Sequence, residues 1–317
     1  MAAYAAFVAK TKRPHYVPQT YFRPWTGEDG LLAYRRRGSD SAIPNSTRNI
    51  AVACGIYGSG ELSEAREKAF GELESDWPKL RDELIAQGDL HGHRRQLFAI
   101  VAAVQLSRTL RHSDKTNFIV DVVNTITERP ITQDAVRQYL EKLDGAEPED
   151  DEVDAFWTMV TYAPGPMPTS DEVMSMAMDI AINQVAPRLE SKRWTVRNFR
   201  RPELMTNDCP VHAWSPPAKR PEKGGVGIAT ADEVRFPLTP NALLVMTNPD
   251  AAPSNASIRS LNTEICRQSH QFVVATPACT PSLDGMTMAG RPSRLRFRTI
   301  TRTVDGEEHE IVHMWDG

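Results

Sequence analysis

The residues best equipped for chemistry crowd into one stretch near the start of the chain. Residues 13–25 read Arg-Pro-His-Tyr-Val-Pro-Gln-Thr-Tyr-Phe-Arg-Pro-Trp. His15 offers an imidazole that can exchange a proton near neutral pH. Arg23 offers a guanidinium that can grip an anion, and Gln19 a carboxamide that donates and accepts. Three prolines fix φ and remove main-chain donors, so the stretch is expected to be extended or turn-like and not helical. Proline and the four aromatics would stiffen it, and a site needs rigid polar groups. The aromatics themselves (Tyr16, Tyr21, Phe22, Trp25) read as core residues before they read as a base-stacking platform.

Other clusters carry less. His91-Gly92-His93 beside Arg94-Arg95 lacks metal-ligand spacing and reads as a solvated helix start. His309 and His313 alternate with Ile311 on one strand face and read as surface histidines. The runs Arg35-Arg36-Arg37 and Arg294/Arg296/Arg298 read as solvated faces. Gly224-Gly225-Val226-Gly227 has no strand-turn-helix context and reads as loop, so no Rossmann or Walker site is expected.

Composition excludes several classes. A net charge of −4 over 317 residues gives no basic field for nonspecific nucleic-acid binding. Cys54, Cys209, Cys266 and Cys279 form no C-x-x-C pair, as expected for reduced thiols in a cytoplasmic protein. Met1–Val8 is apolar but follows no basic segment, so it does not read as a secretory leader. The longest apolar run, 97–106, contains Gln105 and falls short of the ~20 residues a membrane helix needs, so no membrane partner is expected.

The elements that must position the polar groups follow from periodicity. Leu31–Arg35, between Gly27-Glu28-Asp29-Gly30 and the turn at 36–40, predicts a strand in a hairpin. Leu62, Ala65, Ala69, Leu73, Trp77, Leu80 and Leu84 recur at spacings of three and four, predicting a helix that Pro78 kinks or divides. A central helix is expected over 91–117, with Leu97, Ile100, Val101, Val104 and Leu110 inward. Further helices are predicted at 132–143, 151–162 and 170–188, joined by exposed connectors at 145–151 and 163–168. Strands follow at 194–199, 234–238, 242–246, 271–275, 295–303 and 308–314, with a mobile loop at 219–227. This order predicts an α+β fold, a single domain over 1–317: motif and hairpin to about residue 60, helices over 61–190, mainly β over 191–317. In it a central helical layer packs on a mainly antiparallel sheet built from the N-terminal hairpin and the C-terminal strands.

The segment Pro14-His15-Tyr16-Val17-Pro18-Gln19-Thr20-Tyr21-Phe22-Arg23-Pro24-Trp25 resembles the opening of domain-of-unknown-function family 4238, a family of mostly bacterial proteins. That opening reads His-His-Tyr-Val-Pro-Gln-x-Tyr-Leu-x-x-Phe. Gln105-Leu106-Ser107-Arg108-Thr109 is similar to the family's Gln-x-x-Arg-Thr segment, on a central apolar helix. Thr206-Asn207-Asp208-Cys209-Pro210-Val211 is similar to its Ser-Asp-Asn-Pro-Val segment, and Pro237-Leu238-Thr239-Pro240 to its Pro-Leu-Ser-Pro segment. The resemblance covers most of the chain and implies a shared fold and site; it transfers no activity. Pro14 stands where the family's first histidine would be, so a mechanism needing a histidine pair does not carry over. Asn207 replaces the usual serine.

These segments contribute His15, Arg23, Gln105, Arg108, Asn207 and Asp208. Gln105 and Arg108, three apart, share a face of the apolar helix, where a charge must be paired or face a cavity. Two readings stay open. In one, Arg108 and Asp208 form a structural ion pair that pins the helical layer to the sheet. In the other, His15 lies beside Asp208 as a general base, Arg108 stabilises developing negative charge, and Gln19, Arg23, Gln105 and Asn207 bind substrate. That set suits a hydrolase or nuclease acting on a phosphoester or other anionic substrate, with water as nucleophile, since no nucleophile motif is present. The alternatives are a non-catalytic module that binds a small anionic ligand or nucleotide, and an interaction component of a bacterial conflict system. The sequence points to no particular cofactor or metal, and leaves nucleic acid open as a partner.

Overall fold

The computed structural model describes residues 14–53, 60–113, 132–144, 147–161, 170–220, 226–288, 295–304 and 307–316. The chain forms two compact units, Met1–Ser113 with Met174–Arg291 and Asp114–Val173 with Pro292–Gly317.

In the first unit the chain enters beside its own residues 51–53. His15 bridges Val52, and the Tyr16 N–H donates to the Ala51 carbonyl at 2.9 Å. A short helix, α1 (Gln19–Phe22), then leads into a 3₁₀ turn, Arg23–Trp25. This corrects the expectation of non-helical chain. Pro18 is the N-cap of α1, and Pro24 lies in the first turn of the 3₁₀ segment, so each proline sits where its missing N–H has no helical partner to lose. The hairpin forms as expected, β1 (Leu31–Arg36) against β2 (Ile43–Ser46).

Of the expected kink or division at Pro78, division does not occur: helix α2 (Gly60–Gln87) is continuous through the proline. Trp77, Leu80 and Leu84 are buried on both sides of the proline, and that packing holds the helix together where one hydrogen bond is missing. In α3 (Gly92–Ser107) the buried stripe is Phe98, Ala99, Ala102, Ala103 and Val104. Leu97, Ile100, Val101 and Leu110 are only partly buried. Alanines present a flat surface that lets neighbouring backbones approach, so the small residues turn inward ahead of the large ones.

The second unit contributes α4 (Gln133–Asp144) and α5 (Asp150–Thr161), which meet through Val136, Leu140 and Val153. Gln133 donates to Asp154 at 2.6 Å, and Arg137 pairs with Asp150. The predicted helix at 170–188 is α6 (Ser170–Ile180), a π turn (Ala181–Val185) and α7 (Ala186–Glu190).

The remaining strands of the first unit are β3 (Arg193–Asn198), β4 (Thr206–Asn207), β5 (His212–Trp214), β6 (Glu233–Thr239), β7 (Ala242–Thr247) and, after helix α8 (Ile258–Gln268), β8 (Phe272–Ala275), followed by α9 (Thr280–Asp284). They make two antiparallel sheets in place of one, ordered β2-β1-β8-β4 and β3-β7-β6-β5. The architecture is α+β. Strands β6 and β7 are buried along nearly their whole length. Val234, Phe236, Leu244 and Met246 join the large core, while Leu243 and Val245 face a second core with Leu261 and Ile265 of α8. A two-stranded ribbon, β9 (Leu295–Val304) with β10 (Glu307–Asp316), belongs to the second unit.

The N-terminal aromatics are core residues, as expected. Tyr21 stacks on Phe236 at 5.7 Å, and Trp77 bridges Phe236 (5.3 Å) and Phe98 (5.4 Å). The Tyr21 hydroxyl donates to the Pro237 carbonyl at 2.9 Å and shares a 2.6 Å bond with Thr206 Oγ1. The Trp25 indole donates to the Leu204 carbonyl at 2.8 Å. The connector at 163–168, the Gly224-Gly225 pair, Cys54 and Arg294 lie outside the described residues. Among those described, no helix is long and apolar enough to cross a membrane.

Removing the Tyr21 hydroxyl leaves a buried carbonyl and a buried threonine short of a partner. Tyr21→Phe should cost about 1–3 kcal/mol in chemical denaturation. An unchanged midpoint would show that these bonds hold nothing.

Candidate functional site

The site is assembled on one carbonyl group. Gln105 is buried in the last turn of α3, and Arg108 is the C-cap of that helix. Gln105 Nε2 and Arg108 Nε both donate to the Tyr16 carbonyl, at 3.0 and 2.9 Å. Arg108 Nη2 donates to the His15 carbonyl at 2.9 Å and to Glu74 Oε1 of α2 at 2.7 Å. The guanidinium also lies over the Phe70 ring, 4.8 Å from its centroid. With its side chain 4% exposed, Arg108 needs all of these partners, because an uncompensated charge in such a place is costly.

The expected Arg108–Asp208 pair is therefore corrected: the carboxylate beside Arg108 is Glu74. Asp208 is wholly buried and receives main-chain amides, His270 N–H on Oδ1 at 2.8 Å and Gln271 N–H on Oδ2 at 2.7 Å. Burial pushes its pKa up, and the two amides oppose the shift. It follows the two-residue β4 in a turn, where an Asx side chain naturally meets main-chain donors. Asn207 is used the same way. Its Nδ2 donates to the Ile265 carbonyl at 2.7 Å, and its Oδ1 accepts the Cys209 N–H at 2.8 Å.

His15 is half-buried, and burial lowers its pKa below the ordinary 6.5. Hydrogen bonds to the Thr47 and Arg48 backbone oppose that shift, and among charged groups Glu74 and Arg108 act on the ring. The structure thus gathers His15, Gln105 and Arg108, adds Glu74, and gives Asp208 and Asn207 to main-chain partners. Gln19 is half-buried at the first position of α1, and Arg23 is exposed on the 3₁₀ turn.

Beside the clamp lies a cavity of about 20 Å³, room for about one water, bounded by Pro18 and Tyr21, by Leu73, Glu74 and Trp77 of α2, by Val101, Val104, Gln105 and Arg108, and by Phe236. The Trp77 indole nitrogen is buried with no hydrogen-bond partner among the described residues. Glu74 and Trp77 were not among the expected site residues. Their signal was present, since a carboxylate and an indole N–H sit beside Leu73 and Leu80 on a helix face that is otherwise apolar.

The remaining clusters resolve simply. His91 is the exposed N-cap of α3, as expected of a solvated helix start. Arg35 and Arg37 are not merely solvated. Arg35 Nη1 donates to the carbonyls of Leu283, Asp284 and Met286, and Arg37 to that of His270. Among the described residues no group of three or more His, Cys, Asp or Glu is placed to hold a metal.

A family model described as a protein of unknown function, DUF4238, matches residues 13–278. The chain belongs to this family. The DUF4238 match takes in the clamp, the cavity and both four-stranded sheets, and stops short of β9. No curated protein and no solved structure matches the chain.

Two outcomes follow. Arg108→Met takes this donor from the His15 carbonyl and from Glu74, leaves the Tyr16 carbonyl with Gln105 alone, and should cost about 3–5 kcal/mol in chemical denaturation. Glu74→Gln keeps an acceptor for Nη2 but removes the balancing charge from a half-buried position, so it should cost less, about 1–3 kcal/mol. Equal losses would place the weight on the ion pair and not on the carbonyls. Because the folded His15 pKa is depressed, the unfolded chain binds its proton more readily. Its contribution is complete above pH 6.5 and declines as pH falls below that value. His15→Asn should flatten the melting-temperature profile in that window, and an unchanged profile would contradict the burial argument.

Proposed function

We propose that this DUF4238 protein binds a small ligand and releases it unchanged, at the cavity beside Arg108. The observation that carries this reading is the Trp77 indole N–H, a buried donor with no acceptor among the described residues, on a side chain that lines a cavity large enough for one polar atom. The polar residues around it are already engaged: Gln105 and Arg108 with main-chain carbonyls, and Glu74 with Arg108. The ligand therefore supplies an acceptor such as a carbonyl oxygen. Since Glu74 balances the guanidinium, a neutral acceptor fits better than an anion. Only the acceptor end of the ligand fits the cavity as it stands, against Leu73, Val101 and Phe236, a mostly greasy wall with few polar anchors.

A second reading, a hydrolase or nuclease using water as nucleophile, rests on His15. Its lowered pKa keeps the ring neutral at pH 7, as a general base requires, and Glu74 and Arg108 are its charged neighbours.

A melting-temperature screen of the full chain against small amides, ketones and nucleosides separates the two. Saturation at a hundred times Kd stabilises the fold by about 2.7 kcal/mol. The expected hit stabilises the protein, loses its effect in Trp77→Phe, and is recovered intact by mass spectrometry. A hit recovered as a hydrolysed product by the native chain but intact from His15→Ala would replace the binding reading with the catalytic one. Equal stabilisation of the native chain and Trp77→Phe would remove the indole from the site.

A further inference from the structure

The ribbon of the second unit lies beyond the last residue of the DUF4238 match, so it is not part of what the family shares over 13–278. Among the described residues β9 and β10 form a sheet of their own, with no third strand. A two-stranded ribbon is marginal in water unless something covers one of its faces. The register sorts what each face could meet. Every residue of β9 pairs with one of β10, with no bulge between them. Residues two apart along a strand belong to one face, and residues directly opposite each other share it. One face therefore has Arg296 opposite Trp315, Arg298 opposite His313 and Arg302 opposite His309. Its single acid is Glu307, at the end where the two strands connect. The other three acids of β10, Glu308, Glu310 and Asp316, belong to the opposite face, which holds no arginine.

Opposite charges set across from each other stabilise a ribbon by about 0.2–1 kcal/mol per pair. A ribbon shaped only by its own stability would use the acids of β10 in this way. None of them stands opposite an arginine; each arginine of β9 meets an imidazole or an indole position instead. The result is a face about 30 Å long, with arginine positions about 7 Å apart at 296 and 298 and a third about 14 Å further on. Positive charge gathered along one side without a countercharge opposite it fits a polyanion. The net charge of −4 belongs to the whole chain and does not describe a face on which register has separated the signs. Dimensions narrow the choice. The major groove of B-form DNA, about 12 Å wide, admits a two-stranded ribbon, whereas that of A-form RNA is too narrow. We propose that β9 and β10 form a ribbon that binds duplex DNA, with the face of Arg296, Arg298 and Arg302 in the major groove. Arginines in that place contact phosphates and guanine edges. The proposal is independent of the ligand site at Arg108.

Fluorescence anisotropy of the full chain with a labelled DNA duplex tests this. Three phosphate contacts predict a log–log salt slope of about −2.7, which is about 40-fold weaker binding at 200 mM salt than at 50 mM. Each of Arg296→Gln, Arg298→Gln and Arg302→Gln should reduce that slope by about 0.9, and the triple variant should not bind. Glu310→Gln, on the other face, should leave the slope unchanged. Absence of binding by the native chain at low salt, or equal binding by the triple variant, would overturn the proposal. So would equal affinity for polyglutamate, which would mark a general attraction to anions, or tighter binding of single-stranded than of duplex DNA. Should the triple variant lose the ribbon, amide hydrogen exchange of the native chain decides. The duplex should slow exchange across 295–316, and unchanged exchange there would sink the proposal.

Discussion

A buried guanidinium governs this structure. Arg108 sits where water does not reach, so each of its donors must meet an acceptor supplied by the protein. Two of those acceptors are carbonyls of residues 15 and 16, and Gln105 adds a second donor to one of them. The chain's first described segment is thereby fixed to the end of α3. Everything downstream in that segment inherits its position: Tyr16 and Val17 are buried, Tyr21 reaches β4 and β6, and Trp25 reaches the Leu204 carbonyl.

The same economy recurs across the first unit. Asn207 and Asp208 meet main-chain groups around α8 and β8. Arg35 gathers three carbonyls near the end of α9, and Arg95 reaches the Glu190 carbonyl while lying over Trp194. Polar residues that look like catalytic groups in a sequence are, in this fold, largely caps on backbone that loops and short strands leave exposed to the interior. The Trp77 indole nitrogen and His212 Nε2 are instead buried with no hydrogen-bond partner among the described residues.

Much of the architecture was legible from periodicity. The three-and-four spacing from Leu62 to Leu84, the hairpin signal around Leu31–Arg35, and the apolar runs of β6 and β7 all became the elements they implied. What escaped were features decided by partners distant in sequence. No local pattern tells that Ala99 and Ala102, not Ile100 and Val101, face inward, or that the strands divide between two sheets. The position of Arg108 was readable as a charge needing compensation. That its carboxylate would be Glu74 was not, because the two backbone carbonyls it also binds leave no mark in the sequence. The prolines misled at α1 because their missing N–H has no helical partner to lose there; in α2 a bond is lost, and buried side chains on both sides of Pro78 keep the helix undivided.

In α2 that missing group has an address. Proline at 78 can send no hydrogen bond to the carbonyl four residues earlier, and that residue is Glu74. The helix turn that carries both Glu74 and Trp77 thus lacks one of its internal ties, next to a cavity that admits only a single atom at rest. The Glu74 carbonyl is thereby left without its helical donor on the very turn that lines the cavity.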